Sequence, residues 1–143
     1  MITPATENDY PVIIEVWELS VRATHHFLPE DYLREIKAML PAILSQVSIY
    51  LWRDEKGILR GFAGVGEQKI EMLFIHPSFF RKGLGRRLTE FCIHTLKTYK
   101  VDVNEQNEQA VGFYKKMGFL IIGREERDSL DRPYPLLLMQ YSQ

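Results

Sequence analysis

Phe80-Arg81-Lys82-Gly83-Leu84-Gly85-Arg86-Arg87 follows an apolar run, Met72-Leu73-Phe74-Ile75, and opens a helical pattern running from about Leu84 to Leu96. A strand, then a basic glycine-rich turn, then a helix start is an arrangement suited to an anion. Gly83 and Gly85 let the backbone approach a ligand with no Cβ in the way. The first N–H groups of a helix have no intrahelical partner and carry roughly half a unit of positive charge. With Arg81, Lys82, Arg86 and Arg87 beside them, they make a phosphate site. Glycines also occur at such turns for turn geometry alone, so the reading needs support from the rest of the chain.

Upstream, the apolar spacing is first helical and then alternating. A helix starts at Glu7 or Asn8, with Tyr10, Ile13, Ile14, Trp17 and Val21 on one face. It runs out near Thr24-His25-His26-Phe27-Leu28, because Pro29 bars helical geometry at Leu28. Pro29-Glu30-Asp31 starts a second helix, which Pro41 is expected to kink or divide. From Val47 to Trp52 the period is two, which predicts a strand. Asp54-Glu55-Lys56-Gly57 reads as a hairpin turn. Ile58–Val65 and Ile70–Ile75 read as two more strands. Gly61, Gly64 and Gly66 mark bulges or close backbone approach.

Downstream, Val101–Val103 reads as a short strand and Asn107–Met117 as a helix with Gly118 closing it. Phe119–Gly123 and Tyr134–Tyr141 complete the sheet. The charged loop between them, Arg124–Arg132, reads as a solvated turn, and Tyr134 beyond it is a candidate to line an acceptor pocket. The expected fold is α/β of the α+β kind. It has a mixed central sheet of about six or seven strands, flanked on both faces by about four helices.

Length and composition bound what such a fold can do. The chain has 143 residues, 45% hydrophobic and 26% charged, with net charge −1 and one cysteine. It is the size of one globular domain. The near-neutral charge argues against a nucleic-acid or membrane-surface partner, so the basic cluster at 81–87 suits a small polyanion. No apolar run reaches the ~18 residues of a membrane helix. The start, Met1-Ile2-Thr3-Pro4-Ala5, lacks the pattern of a signal peptide, and a cytoplasmic location is the default expectation. No metal is expected, since the histidines and acids do not fall at ligand spacing.

Asn107-Glu108-Gln109-Ala110-Val111-Gly112-Phe113-Tyr114-Lys115-Lys116-Met117-Gly118-Phe119 narrows the ligand. An N-x-x-A-x-x-F-Y-x-x-x-G-F run, following a short strand and about twenty residues after a G-x-G turn, resembles the GNAT superfamily of N-acetyltransferases. The resemblance covers roughly Gly57 to Tyr141. Ala23-Thr24-His25-His26-Phe27-Leu28 and Arg132-Pro133-Tyr134-Pro135-Leu136-Leu137 are similar to the small bacterial YjaB-like members. The resemblance implies a single domain over 1–143. Residues 1–45 would be a helical acceptor-side part, and 46–143 a core that binds acetyl-CoA.

On this resemblance the loop supplies the pyrophosphate cradle from Arg81, Lys82, Gly83, Leu84, Gly85 and Arg86. The motif's leading Arg or Gln falls on Phe80, a departure that leaves the backbone cradle intact and the side-chain contacts open. Leu73, Phe74 and Ile75 would pair with the pantetheine arm as an added strand. The strands at 70–75 and 101–103 would splay apart to admit it, with Asn104 and Asn107 beside the cofactor. The implied reaction is direct transfer of an acetyl group from acetyl-CoA to a primary amine in a ternary complex. The acceptor is a small molecule or a protein lysine, and the enzyme a monomer or homodimer.

A primary amine with a pKa of ~10.4 must lose a proton before it attacks, and the departing thiolate, at ~8.5, must gain one. Tyr114 matches the family's tyrosine near the sulfur and is the candidate acid; on its spacing alone it is a buried stripe residue. The base stays open. Glu105 lies after the short strand, and is equally readable as a solvated loop carboxylate. Glu71 shares a strand face with Leu73 and Ile75 if alternation holds, and is equally readable as one half of a cross-strand ion pair. His25 is expected to point inward at the end of the first helix, as a base or a packing residue. His26, His76 and His94 have weaker claims, and a water chain is an alternative. Cys92, among Leu88, Phe91 and Leu96, reads as a buried apolar thiol. Two other classes answer the same motif: a CoA-binding sensor without catalysis, motivated by Phe80 and the missing base, and a nucleotide-binding domain.

Overall fold

The computed structural model describes residues 2–142; the two ends of the expected 1–143 domain, Met1 and Gln143, lie outside the described residues. Seven strands form one sheet in the order β1-β2-β3-β4-β5-β7-β6. They are β1 (Ile2–Pro4), β2 (Ser48–Arg53), β3 (Leu59–Gly66), β4 (Lys69–Ile75), β5 (Lys100–Asn104), β6 (Phe119–Glu125) and β7 (Leu136–Tyr141). The helices are α1 (Tyr10–Thr24), α2 (Glu30–Leu44), α3 (Leu84–His94) and α4 (Glu108–Met117). β1 to β4 pair antiparallel, β4 and β5 pair parallel, and β5, β7 and β6 pair antiparallel. The sheet is thus mixed, as expected.

Each face of the sheet carries its own core. Ile13 and Trp17 of α1 and Leu40 and Leu44 of α2 pack on Leu51 and Phe62. Leu88 and Cys92 of α3 and Tyr114 of α4 pack on Ala63, Val101 and Met139 of the other face. A fully buried leucine or phenylalanine contributes about 1.5–3 kcal/mol, so two such clusters hold the helices firmly on opposite sides. Gly61 lets α3 sit close: a Cβ there would lie 2.9 Å from Ile75 Cδ1 and 3.0 Å from Leu84 Cδ2.

Several departures from the sequence expectations bear on the fold. Ile2–Pro4 forms an edge strand, too short to show a pattern. Residues Glu7–Asp9 form a 3-10 turn and α1 begins only at Tyr10, with Pro11 in its first turn, where a missing N–H costs nothing. Helix α2 runs undivided through Pro41, which falls in its last turn, so little helix remains to be disrupted. The hairpin strands are offset from expectation, β6 reaching Glu125 and β7 starting at Leu136.

Two irregularities position the site. β4 and β5 pair only at Lys69↔Lys100 and Ile70↔Val101, and then part. In the β3–β4 ladder Gly64 faces Met72 while Val65 faces Ile70, which leaves Glu71 as an extra residue, a bulge in β4.

Candidate active site

The turn before α3 is built for an anion. Gly83, its N-cap, has φ +81°, a left-handed conformation that favours glycine. Arg81 is also left-handed, at φ +61°. Arg87 N–H bonds Gly83 O, so the N–H groups before it in the first turn have no intrahelical partner. The Phe113 ring, from the middle of α4, lies 3.5 Å from where a Gly85 Cβ would stand, which packs α4 against the start of α3. Arg86 is paired with Glu90 at 2.7 Å. Lys82 Nζ sits 4.8 Å from the Phe79 ring centre. Among the described residues, no acidic partner engages Arg81 or Arg87, and both are exposed.

Along the cleft, the backbone of β4 has a free edge. His76 N–H bonds Arg60 O across the β3–β4 pair. Alternation along that ladder turns the N–H and C=O of Ile75 and Leu73 the other way, toward β5. Among the described residues, no strand meets them there beyond Ile70. The peptide of Phe74 belongs instead to the β3 side, and its side chain packs on Phe62.

Asn107 is the N-cap of α4, its Oδ1 accepting from Ala110 N–H at 3.2 Å. Among the described residues, no acceptor engages its amide N–H groups. Asn104 ends β5, and its C=O accepts from Asn107 N–H at 3.0 Å. Tyr114 of α4 is buried, its ring edge-on to Phe113 and Phe119. Burial pushes its pKa well above the ordinary phenol value, with the nearby Cys92 adding to the effect. Among the described residues its hydroxyl has no hydrogen-bond partner, yet no fully buried side-chain polar atom is left unpaired. Its raised pKa keeps the hydroxyl protonated.

On the opposite side of the sheet, α1, α2 and the β6–β7 loop enclose a cleft of about 470 Å³. Its walls are apolar, including Trp17, Leu28, Ile36, Leu40, Met72 and Phe74. The charged residues lining it are all acidic: Glu67, Glu71 and Asp128.

The three candidate bases fare differently. The β4 bulge breaks the alternation, so Glu71 faces this cleft with Met72 instead of sharing a face with Leu73 and Ile75. Lys69 binds Asp102 at 2.7 Å, and among the described residues Glu71 has no ion-pair partner. Its carboxylate stays accessible from the cleft, yet burial raises its pKa above the ordinary value; Asp102 and Glu67 add to this and Lys69 opposes it. Glu105 is engaged elsewhere: Arg124 grips both its oxygens, at 2.7 and 3.0 Å. Those bonds hold its carboxyl below the usual range, a poor state for a base.

His25 caps the end of α1, its ring centre 5.5 Å from that of Phe27 and 6.4 Å from that of Phe74. The Thr24 hydroxyl donates to Ser20 O at 2.9 Å and lies 2.8 Å from His25 Nδ1. With its single hydrogen spent, that hydroxyl can only accept from Nδ1–H, which leaves the lone pair on Nε2. Burial, then the charge of His26, lowers the His25 pKa to about 4.

Cys92 is wholly buried and its thiol pushed up to about 11, which keeps it from acting as a nucleophile. The β6–β7 loop is largely exposed, as expected of a solvated turn, and it is also held to the fold. It is bonded to α2 through Tyr32 and Glu35, and Tyr134 stacks on Tyr32 with centres 5.3 Å apart. Charge alternation along the loop gave no sign of these partners, which stand on a distant element.

Residues 18–129 match the acetyltransferase (GNAT) domain. The chain belongs to the GNAT acetyltransferase family, and it is an N-acetyltransferase. It is 40% identical over 129 residues to the peptidyl-lysine N-acetyltransferase YjaB of Escherichia coli K12, covering 90% of this chain and 88% of that protein. The solution structure of apo-form YjaB from Escherichia coli superposes with a TM-score of 0.90 at 37% identity, over 99% of this chain and 96% of that one. The PaiA N-acetyltransferase of Thermoplasma acidophilum, solved with coenzyme A, shares the fold at a TM-score of 0.72 and 21% identity, covering 100% and 98% of the two chains.

Proposed function

We propose that this N-acetyltransferase uses acetyl-CoA to acetylate the ε-amine of lysine in a peptide or protein. The observation that carries the reading is the acceptor-side cleft, which joins apolar walls to three carboxylates and, among the described residues, no cation in its lining. Such a cleft suits a four-carbon stem ending in an ammonium. The likeness to a peptidyl-lysine N-acetyltransferase supports it.

The residues present fit acetyl-CoA, which supplies the acetyl group as an activated thioester. The free edge of Leu73 and Ile75 would bind the pantetheine arm as an added strand. The α3 first turn, with Arg81 and Arg87, would hold the pyrophosphate. Asn107, whose Oδ1 is spent on the helix cap, would donate from its amide N–H groups to the cofactor, and Asn104 would lie beside it. A Leu73 or Ile75 N–H on that edge is available to a developing oxyanion. Glu71 takes the proton from the ammonium, its raised pKa bringing it nearer to neutral pH. Tyr114 holds a proton on Oη for the departing thiolate. Glu105, paired with Arg124, has no part in proton transfer.

The test is steady-state transfer to lysine peptides and to small amines. Lysine peptides should give the higher kcat/KM, with intersecting kinetics, and Tyr114→Phe should lower kcat by about 10²-fold with little change in KM. A preference for small amines would remove the lysine assignment, and an unchanged kcat would remove Tyr114 from the chemistry.

A further inference from the structure

The two side-chain hydrogen bonds that span the greatest sequence separation, 96 and 97 residues, both join the β6–β7 loop to α2. In the first, the Tyr32 hydroxyl donates to Asp128 Oδ2. In the second, Arg132 Nη2 donates to Glu35 Oε2 at 2.6 Å. The Arg132 guanidinium also lies 5.0 Å from the Tyr32 ring centre, within cation–π range. Asp128 is the residue that shapes the loop. Its Oδ1 accepts from the N–H groups of Leu130 at 3.0 Å and Arg132 at 2.9 Å, and its own N–H donates to Arg132 O at 3.0 Å. Tyr32 thus binds the organising carboxylate of the loop while its ring is packed between Tyr134 and Arg132.

This loop is one wall of the acceptor-side cleft. Asp128, Ser129 and Leu130 line it from the loop, and Tyr32, Ile36 and Leu40 line it from α2. We propose that Tyr32 and Glu35 latch the 126–132 loop onto α2 and so set the shape of the cleft, which makes them positioning residues for the acceptor amine. The proposal rests on the reading that this cleft receives the amine. The cofactor side of the sheet is untouched by either bond.

The experiment compares wild type with Tyr32→Phe, Glu35→Gln and the double variant. Phenylalanine keeps the buried ring and its stack, and Glu35 is on the surface, so folding is preserved. Transfer is measured to a lysine peptide and to a small alkylamine, with KM for acetyl-CoA determined in parallel. Trypsin cleavage after Arg127 in the free protein reports loop release without any turnover. The double variant should raise the amine KM by about tenfold, the order of one net hydrogen bond. It should leave the acetyl-CoA KM unchanged and speed cleavage in the loop. Unchanged cleavage overturns the latch. Faster cleavage with an unchanged amine KM overturns its role in positioning the amine, as does an equal rise in both KM values. Wild-type turnover of the alkylamine but not the peptide would sink the lysine reading alone, and the latch is then judged on the alkylamine KM.

Discussion

Glu71 and Glu105 show how little a residue type says without its surroundings. Both are accessible glutamates near the splayed strands, and their pKa values move in opposite directions. Arg124 stabilises the Glu105 carboxylate, whereas the half-dry cleft disfavours that of Glu71. If Glu71 is the base, activity is lost as pH falls through its raised pKa. Glu71→Gln should lower kcat by about 10²-fold or more and abolish that acidic limb of the pH–rate profile. Glu105→Gln should leave both kcat and the limb at wild-type values. A limb that persists in Glu71→Gln would assign the proton transfer to another group. Which glutamate faces the cleft could not be read from the sequence. Counting by two puts Glu71 with Leu73 and Ile75, and a single extra residue in β4 reverses that. The bulge is a property of how two strands register, and neither strand states it alone.

At the scale of elements, the legible parts were those specified by local chemistry. Gly83 and Gly118 take the left-handed conformations their places require, and Asn107 caps the helix it precedes. The run Ile70–Ile75 shows as a strand because its apolar density exceeds that of its flanks. Elements held by remote partners were not legible: β1 has three residues and exists because β2 offers an edge. The β6–β7 loop is ordered by α2, almost a hundred residues earlier in the chain. The packing of α3 onto β3 gives a direct check. Gly61→Val would drive methyl groups into Ile75, Leu84 and Leu88, since even a Cβ stands 2.9 Å from the first of these. Overpacking of this kind costs about 1–3 kcal/mol and should appear as a lower urea midpoint. Because Ile75 ends the free β4 edge, acetyl-CoA affinity should fall as well. Asn107→Ala, by contrast, removes one cap bond and should cost about 1 kcal/mol.

Across the whole molecule the sheet divides two tasks. The α3–α4 side presents the anion turn and Tyr114, the α1–α2 side presents the acid-lined cleft, and the parting of β4 from β5 opens a way between them. His25 belongs to the second side, wedged where α1 ends against Phe74 of β4. Its pKa in the fold is about 4, against 6.5 ordinarily. The folded state therefore binds fewer protons than the unfolded chain between those values, and stability falls as pH falls from about 6.5 toward 4. The carboxylates with lowered pKa, Glu18, Glu30, Asp54 and Glu105, add their own loss only in more acid solution, below their ordinary values near 4. Glu71 acts in the opposite sense, because the fold raises its pKa and protonation there favours the native state. A thermal melt at pH 7 and at pH 5 separates these contributions. Wild type should lose melting temperature between the two, and His25→Gln, which cannot titrate, should lose distinctly less. An equal drop in both proteins would show that His25 is as easily protonated in the fold as in the open chain, and that its place against Phe74 is wetter than the structure has it.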